Sequence, residues 1–301
     1  MKNRLNKARK TLSRLSLTWS IRSILLLSKL MPYRLGVYAG GVLGFIAYYL
    51  FPRERNRAIA HLTLAFGEKG RPWIQRTAQR SFIHLGKSLL EVMLISPRRL
   101  SQVVDIQGEE NLRTALSLKK GVVYVTGHIG NWELMGDTVA AKSALSVSVI
   151  AVPLEPEQVN DMIVRLRARM GVRTILRGRP GASRELIRIF KENRILGILI
   201  DQDTDVESAF VDFMGKPAWT PTAAASMAIK FGAPVIFGTI QRGGDNRHTI
   251  TIEGPLELVR TGNDEKDIIA NTAMFTKKIE DCIARNPEQW VWMHRRWRRQ
   301  P

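Results

Sequence analysis

The chain has 301 residues, 45% of them hydrophobic, a single cysteine and a formal net charge of +19. That length is ample for a full core, as one large domain or one domain with an extension. The lone Cys282 excludes an internal disulfide framework and gives no support to a cysteine-based zinc site; within Ile279–Ala284 it reads as a small apolar filler.

The charge is uneven. Residues 1–100 hold 19 Lys/Arg against 3 Asp/Glu, residues 291–301 hold 4 Arg and no acid, and residues 101–290 are nearly balanced, with 23 basic and 24 acidic residues. Basic ends suit nucleic acid, anionic lipid or an acidic protein, and the neighbouring residues discriminate. Residues 2–14 carry Lys2, Arg4, Lys7, Arg9, Lys10 and Arg14. Residues 15–31 are rich in Leu, Ile and Ser but interrupted by Arg22 and Lys29, which argues against a cleaved signal peptide. Residues 35–51 then run for 17 positions without a charge, the lower limit for crossing a bilayer. Three readings stay open: a single-span anchor, a helix lying in the interface beside an amphipathic 15–31, and a buried helix. Tyr33 and Tyr48–Tyr49 near its ends, and Arg53, Arg55 and Arg57 after Pro52, suit a membrane surface with anionic headgroups. A helical pattern over 72–95 groups Phe82, Leu85, Leu89, Leu90 and Met93 on one face and reads as packing.

From 101 to 290 strand-like and helical runs alternate. Strands are expected at 121–126, 146–152, 172–176, 194–200, 234–240 and 248–252, and helices near 157–170, 182–192 and 265–285. A further helix is expected to open with Pro221 at its first position and stop at Gly232. Such alternation predicts an α/β layered domain with a mostly parallel central sheet flanked by helices.

Where the first of these strands ends stands Gly127-His128-Ile129-Gly130-Asn131-Trp132-Glu133. In an open α/β sheet, ligands bind just beyond the carboxyl ends of the strands. His128 and Glu133, five apart, meet only if the chain turns between them, and Gly127 and Gly130 permit that turn. Asn131 suits an N-cap and Glu133 the first turn of the next helix. A carboxylate on one imidazole nitrogen makes the other a base able to take a proton from an alcohol. The plain alternative is a hydrogen-bonded histidine and a surface glutamate. Asp201-Gln202-Asp203 ends the 194–200 strand, on the same rim if the strands are parallel. It reads as a metal site, an acid assisting the acceptor, a partner for an arginine, or a polar turn. On the 157–170 helix Arg165 and Arg169 share a face and Arg167 does not, giving either a solvated face or a contact to phosphate or phosphopantetheine. Trp290, Trp292 and Trp297 beside four arginines read as an interfacial platform or as a packing cluster.

The His128–Glu133 segment, Asp201-Gln202-Asp203, the Phe213–Ala218 stretch and the ending Pro287-Glu288-Gln289-Trp290-Val291-Trp292-Met293-His294-Arg295-Arg296-Trp297 together give a sequence that resembles the bacterial lipid A late acyltransferases, of the lysophospholipid acyltransferase superfamily. The resemblance covers most of the chain. It implies a segment 1–60 that anchors at the membrane and an acyltransferase domain over 61–301. It implies a fatty acyl group moved from acyl carrier protein, or from acyl-CoA, to a hydroxyl of a lipid A precursor glycolipid, at the cytoplasmic face of the inner membrane. No metal or redox cofactor is implied. His128 is carried over as general base and Glu133 as its partner; Asn131, Arg165, Arg167, Asp201 and Asp203 make up the expected substrate-binding set. Other acceptors, such as a phosphatidylinositol mannoside, an ornithine lipid or a lysophospholipid, stay open. The reading from another class is a non-catalytic, membrane-tethered nucleic-acid-binding protein. It accounts for the basic ends but not for the neutral body or the His/acid rim, so nucleic acid is not expected as a partner and an anionic membrane surface is.

Overall fold

The computed structural model describes residues 31–143, 146–153 and 156–301. The basic segment 2–14 and the amphipathic stretch 15–31, Met31 excepted, lie outside these. Four helices lead: α1 (Tyr33–Leu50), α2 (Pro52–Phe66), α3 (Arg71–Leu94) and α4 (Pro97–Val103). Then follow β1 (Val104–Gln107), α5 (Glu109–Ser117), β2 (Val122–Thr126), α6 (Trp132–Ser143), β3 (Val147–Ala151), α7 (Glu157–Arg169), β4 (Val172–Leu176), α8 (Ala182–Lys191) and β5 (Ile195–Leu199). A hairpin of β6 (Ser208–Phe213) and β7 (Lys216–Pro221) precedes α9 (Ala223–Phe231), β8 (Val235–Arg242), β9 (His248–Glu253) and α10 (Asp264–Arg285).

The main sheet has seven strands in the order β1-β9-β8-β2-β5-β3-β4. The five from β8 to β4 run parallel; β9 is antiparallel to β8, and β1 follows β9. This is the mixed, mostly parallel α/β sheet that the alternation predicts. All five residues of β2 are buried, as expected of a parallel strand covered on both faces. Val123 and Val125 point into the core layer shared with α9, α10 and the C-terminal tryptophans. Val122 and Tyr124 point into the layer shared with α1, α4, α5 and α6. Each such side chain contributes roughly 1.5–3 kcal/mol of burial.

One local expectation changes, and one hairpin appears that was not expected. Pro221 closes β7, paired with Ser208, and does not open α9. An edge strand tolerates the missing N–H, and the helix instead begins after Thr222 and stops, as expected, at a left-handed Gly232. The β6–β7 hairpin carries no Asn-Gly or Asp-Gly signal. Its turn is Met214-Gly215, both with positive φ (55° and 71°), the pattern of a two-residue hairpin loop. The Met214 N–H donates to Glu280 Oε2 at 2.7 Å, which helps hold that conformation.

Among the described residues no single helix is long and apolar enough to cross a membrane; α1 passes that test only jointly with residues 52–69, across a 92° bend. One face of α1 is lined by Gly36, Gly40 and Gly44 and packs along α3. A Cβ on Gly44 would stand 2.2 Å from the Phe82 carbonyl oxygen, and one on Gly40 2.5 Å from that of Gly86, so the two backbones touch. The opposite face leaves Tyr38, Leu43, Phe45, Ile46, Tyr49 and Leu50 at 43–70% exposure.

A backbone-to-backbone seam cannot absorb a methyl group. Gly44→Ala is expected to lower the thermal midpoint by roughly 3–10 °C, the scale of overpacking in a close-packed interior. Gly67→Ala, at a position with nothing within 4 Å of its Cβ, is expected to leave the midpoint unchanged in the same melting experiment.

Candidate active site

β2 and β5 are adjacent and parallel, with Thr126 beside Leu199. His128 follows β2 by two residues and Asp201 follows β5 by two, so register alone brings them to one rim. The Asp201 carboxylate accepts from His128 Nδ1 (2.7 Å), from the His128 backbone N–H (2.7 Å) and from Trp290 Nε1 (2.7 Å). Burial alone would raise the Asp201 carboxyl, but the His128 charge and these three donors outweigh it and hold it at about 2. His128 is 22% exposed at its side chain. Among the described residues nothing hydrogen-bonds its Nε2, and Trp132 packs edge-on against the ring at 4.9 Å. With a carboxylate on Nδ1, Nε2 is the nitrogen open to take a proton.

The expected partnership of His128 with Glu133 is therefore corrected. Glu133 stands in the first turn of α6 and is gripped by Arg167, through Nε to Oε2 at 2.8 Å and Nη2 to Oε1 at 2.5 Å. Both groups are about one-fifth exposed (19% and 24%). Burial lowers the Arg167 guanidinium, but the Glu133 hydrogen bonds and charge outweigh it and raise it. Of the two arginines expected at the site, Arg167, the one off the shared face, reaches it. Arg165 is exposed, with no polar partner among the described residues, and Arg169 donates to the Ile95 carbonyl at 3.2 Å.

Asp201 is thus committed to the histidine, and Asp203 goes elsewhere. Asp203 is buried and accepts from the Arg299 N–H (3.0 Å), Arg299 Nη1 (2.7 Å) and Arg298 Nη2 (3.2 Å). It fastens the end of the chain and does not join Asp201. Among the described residues no group of His, Cys, Asp and Glu could hold a metal ion.

Asn131 caps α6 as expected, accepting from the Leu134 N–H at 3.4 Å. Its amide donates inward, to Glu91 Oε2 at 2.8 Å and the Ser88 carbonyl at 3.3 Å, so its polar group is spent on the fold and not on a ligand. The sequence reading missed this Glu91. It is wholly buried, and its carboxylate accepts from Arg242 (2.6 and 3.1 Å), from Tyr33 Oη and from Asn131, and pairs with His248 Nε2 at 3.0 Å. Burial raises Glu91, but His248 and Arg242 outweigh it and hold it well below the usual carboxylate range. The nearby His84 is pushed down to about 3 by burial, then by the charges of Arg242 and His248.

The C-terminal segment completes the rim. The Gly130 N–H donates to the Gln289 carbonyl at 2.8 Å, and Gln289 side-chain atoms pair with both backbone groups of Arg242 (2.8 and 2.9 Å). Gly130 has φ +63°, and a Cβ there would fall 1.9 Å from the Ile240 oxygen, so only glycine fits. Trp290, Trp292 and Trp297 are buried, Trp290 and Trp297 against Phe213 and Trp292 against Trp290. The packing-cluster reading holds, and the interfacial platform does not. Arg296 is buried among them, bonded to the Trp219 carbonyl and to Thr220 Oγ1.

This carboxylate-paired imidazole stands on the open rim of a mostly parallel sheet, and comparison with known proteins shows that the chain is an acyltransferase. The chain belongs to the bacterial lipid A biosynthesis acyltransferase family, whose model matches residues 4–299. It is 25% identical over 293 residues to the lipid A biosynthesis palmitoleoyltransferase of Escherichia coli (strain K12), covering 95% of this chain and 92% of that one. It is 25% identical over 294 residues to the lipid A biosynthesis lauroyltransferase of the same organism, with the same coverage. It is also 25% identical over 156 residues to a phosphatidylinositol mannoside acyltransferase of Mycobacterium tuberculosis (strain ATCC 25618 / H37Rv), covering 50% of this chain and 48% of that one.

One group beside the site carries a stability cost. Burial, and next the charge of Glu133 one turn earlier, push the Asp137 carboxyl up to about 7, with Arg169 and Arg167 opposing. An acid raised on folding binds its proton more tightly in the native state, so stability falls as pH climbs from the ordinary 3.8 through about 7. Asp137→Asn is expected to raise the melting temperature above pH 7 and to leave it unchanged below pH 3.8. An equal effect at both ends of a pH series would contradict this origin.

Proposed function

We propose that this chain transfers a fatty acyl group from a thioester donor, acyl carrier protein or acyl-CoA, to a hydroxyl of a lipid A precursor glycolipid. The observation that carries the reading is the His128–Asp201 pair with Nε2 open to the rim. The acceptor hydroxyl gives its proton to Nε2 as its oxygen attacks the thioester carbonyl, and Asp201 stabilises the imidazolium that forms. When the tetrahedral intermediate collapses, the carbon–sulfur bond breaks and the imidazolium returns the proton to the departing thiolate. A direct transfer of this kind needs no acyl-enzyme. Glu133 holds the Arg167 fork in one orientation at the start of α6, where the guanidinium meets an anionic part of the acceptor or donor. The lipid A acceptor is preferred because the two lipid A relatives align over 95% of the chain, against 50% and 74% for two phosphatidylinositol mannoside acyltransferases. A phosphatidylinositol mannoside remains the second acceptor.

The reaction is assigned to the cytoplasmic face of the inner membrane, with residues 1–60 supplying the membrane contact and residues 61–301 the transferase. Supporting this are the basic N-terminal hundred residues and the exposed apolar face of α1. That face suits a helix lying in the interface, its polar backbone satisfied and its side chains in lipid.

His128→Gln is expected to lower transfer roughly 10³-fold, within the range of general-base catalysis, with the melting temperature retained. Asp201→Asn keeps the shape but favours the wrong tautomer, and a loss in kcat of roughly 10²–10⁴-fold is expected. The acceptor is tested by mass spectrometry of glycolipids from cells lacking the protein, complemented with wild type or His128→Gln. Lipid A short of one acyl chain, restored by wild type alone, is the expected result. An intact lipid A beside a different lipid class short of an acyl group would replace the acceptor and keep the chemistry.

A further inference from the structure

A recess of about 650 Å³ opens where the last turn of α1 meets the first turns of α2 and α3. Its wall includes Arg55, Arg71 and Arg76 and not one carboxylate. Among the described residues Arg71 and Arg76 have no ion pair or hydrogen bond, and Arg55 touches only neutral partners. Its Nε donates to Asn56 Oδ1 at 3.2 Å, and its guanidinium lies 5.7 Å from the centre of the Tyr48 ring. This is unlike Arg167, Arg242, Arg247, Arg298 and Arg299, which are all held by carboxylates. Neutral hydrogen-bonding groups complete the wall: Gln79 donates to the Tyr49 hydroxyl at 3.1 Å. Three uncompensated guanidinium groups in one concave site match the charge and fork geometry of a phosphate.

The recess borders the apolar face of α1 directly. Tyr49 lines it at 55% exposure, and Leu50 (68%) and Phe51 (54%) follow. When those side chains enter the acyl region of a leaflet, the recess stands at the depth of the phosphates. It lies apart from the transfer centre. Ser88, which touches the catalytic loop, is 12 to 17 residues further along α3 than Arg76 and Arg71, roughly 18–25 Å at a helical rise.

We propose that this recess is a headgroup site for an anionic phospholipid of the bulk membrane, which seats the enzyme at a fixed depth and angle. This rests on the membrane-facing reading of α1 given above. The test is flotation of the full chain with phosphatidylcholine vesicles, with and without phosphatidylglycerol. Wild type is expected to prefer the anionic vesicles. The triple variant Arg55→Gln/Arg71→Gln/Arg76→Gln is expected to lose roughly a hundredfold of that preference, the scale set by three cations near an anionic surface, while keeping its retention on phosphatidylcholine alone. The charge-matched control Arg113→Gln/Arg184→Gln/Arg188→Gln is expected to behave as wild type. If the control falls as far as the triple variant, diffuse charge and not a site is responsible, and the proposal is overturned. Wild-type behaviour of the triple variant overturns it as well. Release of wild type by sn-glycerol 3-phosphate, but not by chloride of equal ionic strength, reassigns the recess to a soluble phosphate ester. Should the triple variant misfold, the single variants Arg71→Gln and Arg76→Gln, both on exposed helix surface, are each expected to lose about fivefold. The readout is vesicle retention, so its failure leaves the acyl-transfer reading standing, and an active His128→Gln enzyme would leave this site standing.

Discussion

The site depends on one buried carboxylate. Asp201 accepts from the side chain and backbone of His128 and from the indole of Trp290. Those donors come from the end of β2 and from the C-terminal segment, while the acceptor comes from the end of β5. Removing a carboxylate from water is costly unless its lone pairs are filled. Here three donors occupy most of them, and the requirement that they converge fixes the positions of three separated stretches of chain. The orientation of the imidazole is then a consequence of satisfying Asp201, not a separate arrangement.

Much of this was legible in the sequence. The apolar runs gave six of the seven strands of the main sheet, all but the short β1, and Gly127 and Gly130 marked a turn at the end of β2. The parallel order implied that Asp201 and His128 share a rim. The partner was not legible. Glu133 is nearer in sequence and carries the right charge, but α6 turns it toward α7, where a guanidinium satisfies it. Asp201 is 73 residues away, and only the β2–β5 register brings it in. The β6–β7 hairpin was hidden because its turn uses Met-Gly, and a positive φ at methionine leaves no compositional trace. Trp290 was visible as part of a tryptophan-rich ending, but its role turns on one indole N–H, which composition does not reveal. Glu91 was invisible for a related reason: an isolated glutamate in a helix reads as a solvated residue until its partners on β8 and β9 are known.

Glu91 and Asp201 divide the work between them. Asp201 orients the His128 imidazole. Glu91 holds the loop that carries it, since Asn131 both caps α6 and donates to Glu91. The chain between His128 and Glu133 is fixed from the rim by one carboxylate and from the interior by the other. Gln289 adds a third restraint by joining Gly130 to β8. Such bracing fixes the His128 ring closely, which is what the proposed proton transfer requires.

The glycine seam of α1 bears on how this protein can be handled. Because α1 and α3 meet backbone to backbone, and Tyr33 at the head of α1 donates to Glu91, this helix is a wall of the interior around Glu91 that also faces outward. Cutting it away to obtain a soluble fragment would trade one exposed surface for another. It would bare the face of α3 around Phe82 and Gly86 and leave Glu91 one donor short, so the cut would reach the interior that braces the His128 loop.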